Sequence, residues 1–412
     1  MDLHGQRVVV TGGAGFIGSH VVDRLLADGA DVVAIDDLST GTRDNLGPAL
    51  AAGARLVVGD VRDPDMLDGE LAGAAVVVHM ACGNLRASLA EPMESHERNA
   101  TGTLTTCLAA VRQGVGRFVY VSSSEAYGSA VRQPMAESHP LLPTTVYGAA
   151  KAAGELYAQS CMRRYGIEAT VVRPFNSYGP REHSSGNSAE VIPKFAARIL
   201  AGLPPVIFGD GSQTRDFTWV QETAAGIIAA AACDELVGEA VNIARGEAVS
   251  VAELGEQLLT ILGADGLEPE RDEARPGDVT HHLADPSLAR EVLGFEARVG
   301  IREGLERYVE WLRGESPAAA PVESAAVRNW WRRSRRTGSS RPPGARSSCS
   351  GRTASSAAGS CASRSPLGRA SPGCASSRRG GWRERPASGC GWSPLRADAG
   401  GSPPGSTRSG AR

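Results

Sequence analysis

Tyr147 and Lys151 stand four residues apart in Tyr147-Gly148-Ala149-Ala150-Lys151, a stretch of helical composition, so a phenol and an ammonium share one helix face. A phenol normally ionises near pH ~10 and needs positive charge beside it to take a proton at neutral pH. Lys151 would supply part of that charge. Residues 1–316 hold 24 Arg and only 2 Lys, so a lysine here points to a requirement for an ammonium rather than a guanidinium. Upstream, an apolar run ends in Ser122-Ser123-Ser124-Glu125. Ser123 is the hydroxyl expected to share a short hydrogen bond with Tyr147 and a substrate oxygen. The chemistry of such a trio is proton transfer at an alcohol.

A second pattern lies near the start, in Thr11-Gly12-Gly13-Ala14-Gly15-Phe16-Ile17-Gly18. Gly13, Gly15 and Gly18 fit G-x-G-x-x-G between a strand and a helix. The spacing predicts a tight turn at Gly13, close approach of a pyrophosphate at Gly15 and helix–strand packing at Gly18, with phosphate on the helix N-terminus beside Gly12, Phe16 and Ile17. Asp36-Asp37 closes the second strand 18 residues after Gly18, near the spacing of an acid that accepts from the adenosine ribose hydroxyls. A carboxylate there repels a 2′-phosphate, so the cofactor expected is NAD rather than NADP. Asp60-Val61 follows the third strand and would lie near the adenine, and His79 is expected to pack beside the cofactor, followed by Met80 and Ala81.

The elements that must hold these groups read as alternating strands and helices. Apolar runs at Arg7–Thr11, Asp31–Ile35, Arg55–Gly59, Ala75–His79, Arg117–Ser122 and Ala169–Arg173 are separated by helical spacing. Nearly continuous apolar strands imply burial on both faces, hence an α/β doubly wound parallel sheet of the Rossmann type. Residues 1–175 form the expected NAD-binding domain. Residues 176–316, with shorter elements, form a smaller α/β domain expected to bind most of the substrate, closed by an amphipathic helix around 302–312. Residues 317–412 are rich in Arg, Ser, Gly and Pro and read as a disordered tail.

Charge separates the two regions. Residues 1–316 carry 26 Lys+Arg against 43 Asp+Glu, and the tail carries 17 Arg against 3 acids. The acidic body argues against nucleic acid and anionic membrane surfaces as partners. Absence of a long apolar run or a basic, apolar leader predicts a cytoplasmic protein. Eight cysteines without any C-x-x-C, and His281-His282 without a third ligand, predict no metal and no disulfide framework.

Taken together, these motifs resemble the extended short-chain dehydrogenase/reductase superfamily, specifically its nucleotide-sugar epimerases, dehydratases and decarboxylases. The resemblance covers nearly all of 1–314 and includes Asn99-Ala100-Thr101-Gly102-Thr103, Arg173-Pro174-Phe175-Asn176-Ser177-Tyr178-Gly179-Pro180-Arg181, Val191-Ile192-Pro193-Lys194-Phe195, the stretch from Gly209 to Phe217 and Arg275-Pro276-Gly277-Asp278. It implies NAD held with help from Met80, Ala81 and Asn99, Ser123 and Tyr147 at the sugar 4-hydroxyl, and Lys151 on the nicotinamide ribose. Ser124, Asn176, Val191, Arg215 and Arg275 are implied around a UDP-sugar or another nucleotide-diphosphate sugar. A homodimer through helices near 97–113 and 147–165 is implied as well.

The implied activity is 4-epimerisation through transient oxidation at C4 to a 4-keto sugar, on the UDP-glucose/UDP-galactose pair or the uronate pair. Glu125 stands where dehydratases and uronate decarboxylases resemble one another in having Glu, so it is a further candidate catalytic residue. Ser124 stands where 4,6-dehydratases usually have an Asp acid. Arg181 is the kind of residue that would grip a C6 carboxylate. UDP-glucuronate decarboxylation and 4,6-dehydration therefore stay open, as does, more remotely, an inactive NAD-binding interaction protein.

Overall fold

The computed structural model describes residues 1–184, 189–274 and 279–315; the expectations for the 317–412 tail and for Arg275 lie outside them. The first part alternates β1 (Arg7–Thr11), α1 (Phe16–Ala27), β2 (Asp31–Asp36), α2 (Gly47–Ala51), β3 (Arg55–Val58), α3 (Pro64–Glu70), β4 (Val76–His79), α4 (Leu85–Ala90), α5 (Pro92–His96), α6 (Gly102–Arg112), β5 (Arg117–Val121), α7 (Val146–Tyr165) and β6 (Glu168–Pro174). Then come β7 (Asn176–Tyr178), α8 (Val191–Leu200), β8 (Val206–Phe208), β9 (Thr214–Trp219), α9 (Val220–Ala232), β10 (Ala240–Ile243), β11 (Ala248–Ser250), α10 (Val251–Leu262), β12 (Glu270–Asp272), α11 (Ser287–Leu293) and α12 (Ile301–Glu315).

Seven parallel strands form the main sheet in the order β10-β6-β5-β4-β1-β2-β3. The valine runs explain why it is covered on both sides. In β1, Val8 and Val10 enter one core with Val21, Val22 and Leu25 of α1 and Ile227 of α9. Val9 points the other way, into a core with Cys107 of α6 and Ala158 of α7. Alternation within an all-apolar strand is what a doubly wound sheet demands. Order reverses between β1 and β4, so the carboxyl ends of the strands open a crevice there.

Beyond residue 175 the chain does not simply leave the first domain. β10 returns to pair with β6, and α9 packs against α1, so residues 220–243 complete the main sheet. The reason is the exposed edge that β6 would otherwise present. The rest builds a separate core from Phe195, Phe217, Trp219, Leu254, Leu258, Leu305 and Tyr308, around a three-stranded sheet ordered β11-β9-β7 and a β12-β8 pair. Among the described residues no helix is long and apolar enough to cross a membrane, and no group of His, Cys, Asp and Glu is arranged to hold a metal ion.

Candidate active site

One continuous cavity runs along the carboxyl ends of the strands, from Asp36 and Asp60 past Gly15 to Ser123 and Tyr147, and on to Asn176 and Val191. Its first part is built from the glycine loop. Gly12, not Gly13, takes the left-handed turn, with φ +70°, and a Cβ there would lie 2.8 Å from the Ala81 nitrogen. Gly13 is instead small because the loop rests on Ala34, whose Cβ would meet it at 2.7 Å. At Gly18 a Cβ would fall 2.1 Å from the Gly12 oxygen, so the close packing expected there is enforced by backbone. α1 starts with Gly15 as its N-cap, without a side-chain cap and without an acid in its first turn. That exposed helix end faces the cavity and fits a pyrophosphate.

Asp36, at the end of β2, is buried and accepts from the N–H of Ala14 (3.0 Å) and of Leu38 (2.9 Å). Burial pushes its carboxyl up against those hydrogen bonds. Asp37, disfavoured as an anion by partial burial, is still held below the usual carboxylate range by Ser39 and Arg98. The Arg62 guanidinium holds Asp60 down. Phe16, Ile17, Val61, Met80 and Ala81 also line this part. Glycines that could not carry a side chain, an uncapped helix end and a carboxylate at the end of β2 together fit a dinucleotide with unphosphorylated ribose.

Two neighbours are structural clamps. His79 hydrogen-bonds Thr11 through Nδ1 (2.8 Å) and Thr103 through Nε2 (3.0 Å), and burial, aided by Lys151, pushes its imidazole down to about 3. A neutral His79 thus ties β1 and β4 to α6. Asn99 differs from its expected place: its amide is used by the Gly83 backbone (2.7 and 3.2 Å) and by Ser95, so it braces the Cys82–Asn84 loop and does not itself border the cavity.

The reacting groups converge from two elements. Tyr147 and Lys151 lie on the first turns of α7, whose Thr145 N-cap accepts from the Gly148 N–H at 3.0 Å. Ser123 follows β5 as the β-strand chain turns into a short 3-10 segment; its Oγ accepts from the Glu125 N–H at 3.2 Å, and it lines the same cavity as Tyr147. Ser124 and Glu125 line the same wall. Lys151 is buried, donates to the Val121 carbonyl at 2.9 Å and sits 5.9 Å from the centre of the Tyr147 ring. Burial raises the Tyr147 phenol well above its ordinary value, with Cys82, Tyr120 and Glu125 adding to this and the neighbouring Ser123 hydroxyl opposing it. Lys151 alone therefore does not make Tyr147 a phenolate. A bound oxidised nicotinamide would supply further cationic charge that favours the phenolate.

The far end holds both expected and unexpected groups. Asn176 and Val191 border it. Arg181 does not: its left-handed backbone, φ +68°, turns the side chain to α1, where it pairs with Asp23 at 2.7 Å while His20 bonds the Pro180 carbonyl. Arg215 donates to the Thr214 carbonyl (2.9 Å) on β9 and is likewise off the cavity wall. In their place stand Glu182, His183 and Glu190, with Ser177 and Phe217. Burial, with Glu190 near, pushes the Glu182 carboxyl well above the usual range, although it accepts from the Gly179 N–H at 3.3 Å. Its position directly after Tyr178-Gly179-Pro180-Arg181 was the available cue, but nothing in that motif says which of residues 181 and 182 turns inward. Arg98, paired with Asp37 (2.8 Å) and Glu94 (2.7 Å), also borders the cavity and carried no sequence signal.

The sequence pattern of the "NAD dependent epimerase/dehydratase family" matches residues 8–244. The UDP-glucose 4-epimerase of Mycolicibacterium smegmatis is 37% identical over 316 residues, 76% of this chain and 100% of that protein. The crystal structure of UDP-glucose 4-epimerase from Thermotoga maritima, with UDP-glucose, superposes with a TM-score of 0.71 at 35% identity, covering 75% of this chain and 99% of that one. A dTDP-glucose 4,6-dehydratase of Streptomyces venezuelae, with NAD bound, reaches 0.71 at 36% identity over 75% of this chain and 97% of its own. With a glycine loop, an acid after β2 and a Ser-Tyr-Lys trio in one cavity, and with relatives matched over nearly their whole length, the chain belongs to the NAD dependent epimerase/dehydratase family.

Proposed function

We propose that this protein is an NAD-dependent nucleotide-sugar 4-epimerase of the UDP-glucose/UDP-galactose kind, with Ser123, Tyr147 and Lys151 as its catalytic residues. The observation that carries the reading is the convergence of Ser123, Tyr147 and Lys151 on the cavity shared with the glycine loop, with the Lys151 ammonium 5.9 Å from the centre of the Tyr147 ring. When bound, the dinucleotide supplies a two-electron acceptor that becomes the donor on the return. Tyr147 takes the proton of the C4 hydroxyl and later gives it back. Ser123 holds that oxygen at hydrogen-bond distance, and Lys151 orients the nicotinamide ribose while adding positive charge. The 4-keto sugar must turn over in the cavity before reduction, which needs room rather than another acid or base.

An uncharged hexose is favoured over a uronate because Arg181 is engaged by Asp23, while Glu125 and Glu190 border the cavity. A C6 carboxylate would meet carboxyl groups there. Elimination across C5–C6 would need an acid at the position of Ser124, which a hydroxyl does not supply. The reading extends to a homodimer, supported by Leu89, Met93 and Leu156, large apolar side chains exposed on α4, α5 and α7, three helices in mutual contact.

Incubation of the purified protein with UDP-glucose, UDP-N-acetylglucosamine and UDP-glucuronate tests the activity. A C4 epimer of a neutral sugar is expected. Release of carbon dioxide, a 4-keto-6-deoxy product, or no change in any of the three would overturn it.

A further inference from the structure

We propose that Glu155 and Arg173 are positioning residues of this active site: a buried ion pair that holds the segment carrying Ser123 in register with the helix carrying Tyr147 and Lys151. The inference rests on the catalytic reading above. Tyr147, Lys151 and Glu155 recur every four residues, so they form one stripe down α7. Glu155 is 2% exposed and Arg173, in β6, is 5% exposed, and neither borders the cavity. Glu155 Oε1 accepts from Ser122 Oγ at 2.5 Å and from Arg173 Nε at 3.0 Å; Oε2 accepts from Arg173 Nη2 at 2.6 Å. Ser122 is the residue immediately before Ser123.

The other side of the guanidinium reaches past the segment. Arg173 Nη1 donates to the Tyr127 hydroxyl at 2.8 Å and to the Glu137 carbonyl at 3.0 Å, and Tyr127 in turn donates to Asn242 of β10 at 2.7 Å. Residues 123–126 are thus bracketed: Ser122 is fastened to α7 and Tyr127 to β6 and β10. Their main chain needs such fastening. The β5–β6 ladder ends where the Ser122 N–H meets the Val172 carbonyl at 2.7 Å, and Ser123 and Glu125 stand on chain that has left the sheet. An apolar pair would fill the same space with less desolvation cost, but it would not fix direction. Three directional bonds from one carboxylate do.

The test separates positioning from stability. Removing one charge alone would strand the other in the interior, so the informative variants are Ser122→Ala and the paired change Glu155→Leu with Arg173→Met, which removes both charges at once. In the full-length holoenzyme the paired variant is expected to keep its thermal midpoint and its bound NAD. Its KM should stay within about twofold while kcat falls about 100-fold, the size of loss that a misplacement near 1 Å produces. Ser122→Ala alone should lose about 10-fold in kcat, and adding it to the paired variant should cost nothing further. A folded paired variant with the kcat of the unmodified enzyme would overturn the proposal. Amide hydrogen exchange over 122–127 reads the same device without turnover: faster exchange in the paired variant supports it, and unchanged exchange overturns it. If the unmodified protein converts no nucleotide sugar, the activity assigned above fails, while this second measurement still decides the positioning role.

Discussion

In the proposed reaction Tyr147 carries a proton only when charge is present to draw its phenol toward ionisation, and burial works against that. Tyr147→Phe removes the proton carrier without removing the ring. Turnover should fall by about 10²–10⁴-fold while bound NAD is retained. Equal kcat in the two proteins would end the catalytic assignment. Gly18 offers a test of the cofactor site that does not depend on turnover. A methyl group there meets the Gly12 backbone at 2.1 Å, and overpacking of that kind costs about 1–3 kcal/mol. Gly18→Ala should therefore weaken NAD binding by roughly tenfold or more in a calorimetric titration. Gly69→Ala, whose added methyl meets nothing within 4 Å, should leave it unchanged and serves as the control.

At the level of elements, α7 and the end of β5 must approach closely enough for their side chains to meet, and Gly148 is where they do. A Cβ on Gly148 would stand 2.4 Å from the Glu125 carbonyl and 3.0 Å from Pro143 Cβ. Gly148→Ala must push the first turn of α7 away from the 123–126 segment, because the nearest atom is backbone. The expected result is a folded protein with kcat lowered about 10- to 100-fold and NAD still bound. An alanine variant with full kcat would show that the separation of these two elements is not limiting. A helical Tyr-x-x-x-Lys spacing was readable in the chain, as was a strand over Arg117–Ser122, one residue longer than the observed β5. The closeness of the two elements was not, since it depends on a glycine meeting a carbonyl 23 residues away in sequence.

At the scale of the whole molecule, two of the buried titratable groups, His79 and Asp216, act in opposite directions. Burial lowers His79 from 6.5 to about 3, so its contribution to stability is fully present above about pH 6.5 and is lost as pH falls towards 3. Burial raises Asp216 from 3.8 to about 6 despite hydrogen bonds donated by the Arg245, Gly246 and Ala284 N–H groups, so the folded state retains its proton longer than the unfolded chain. Its contribution is complete below about pH 3.8 and is lost as pH rises to about 6. The two slopes oppose each other over most of that window. Relative to Asp216→Asn, the unmodified protein should lose about 1.4 kcal/mol per pH unit between roughly pH 4 and 6, measured by urea unfolding. A pH-independent difference would show that Asp216 titrates normally. The exposed Leu89, Met93 and Leu156 belong to this scale too. Paired Met93→Glu and Leu156→Glu changes should convert a dimer into a monomer in light scattering, and a monomeric unmodified protein would refute the homodimer.

Local patterns settled the α/β doubly wound class, the dinucleotide loop and the Tyr-Lys spacing, because each depends on neighbours along the chain: apolar strands need cover on both faces, glycines permit a crowded turn, and residues four apart share a helix face. The far side of the cavity obeys other rules. Whether Arg181 or Glu182 turns inward rests on one left-handed backbone angle and on Asp23, 158 residues away. The return of β10 to the sheet and the fastening of Ser122 by Glu155 rest on partners far apart in the chain, whose pairing no motif spells out. Side-chain direction in irregular chain is set by long-range contacts, and those exist only once the chain has folded.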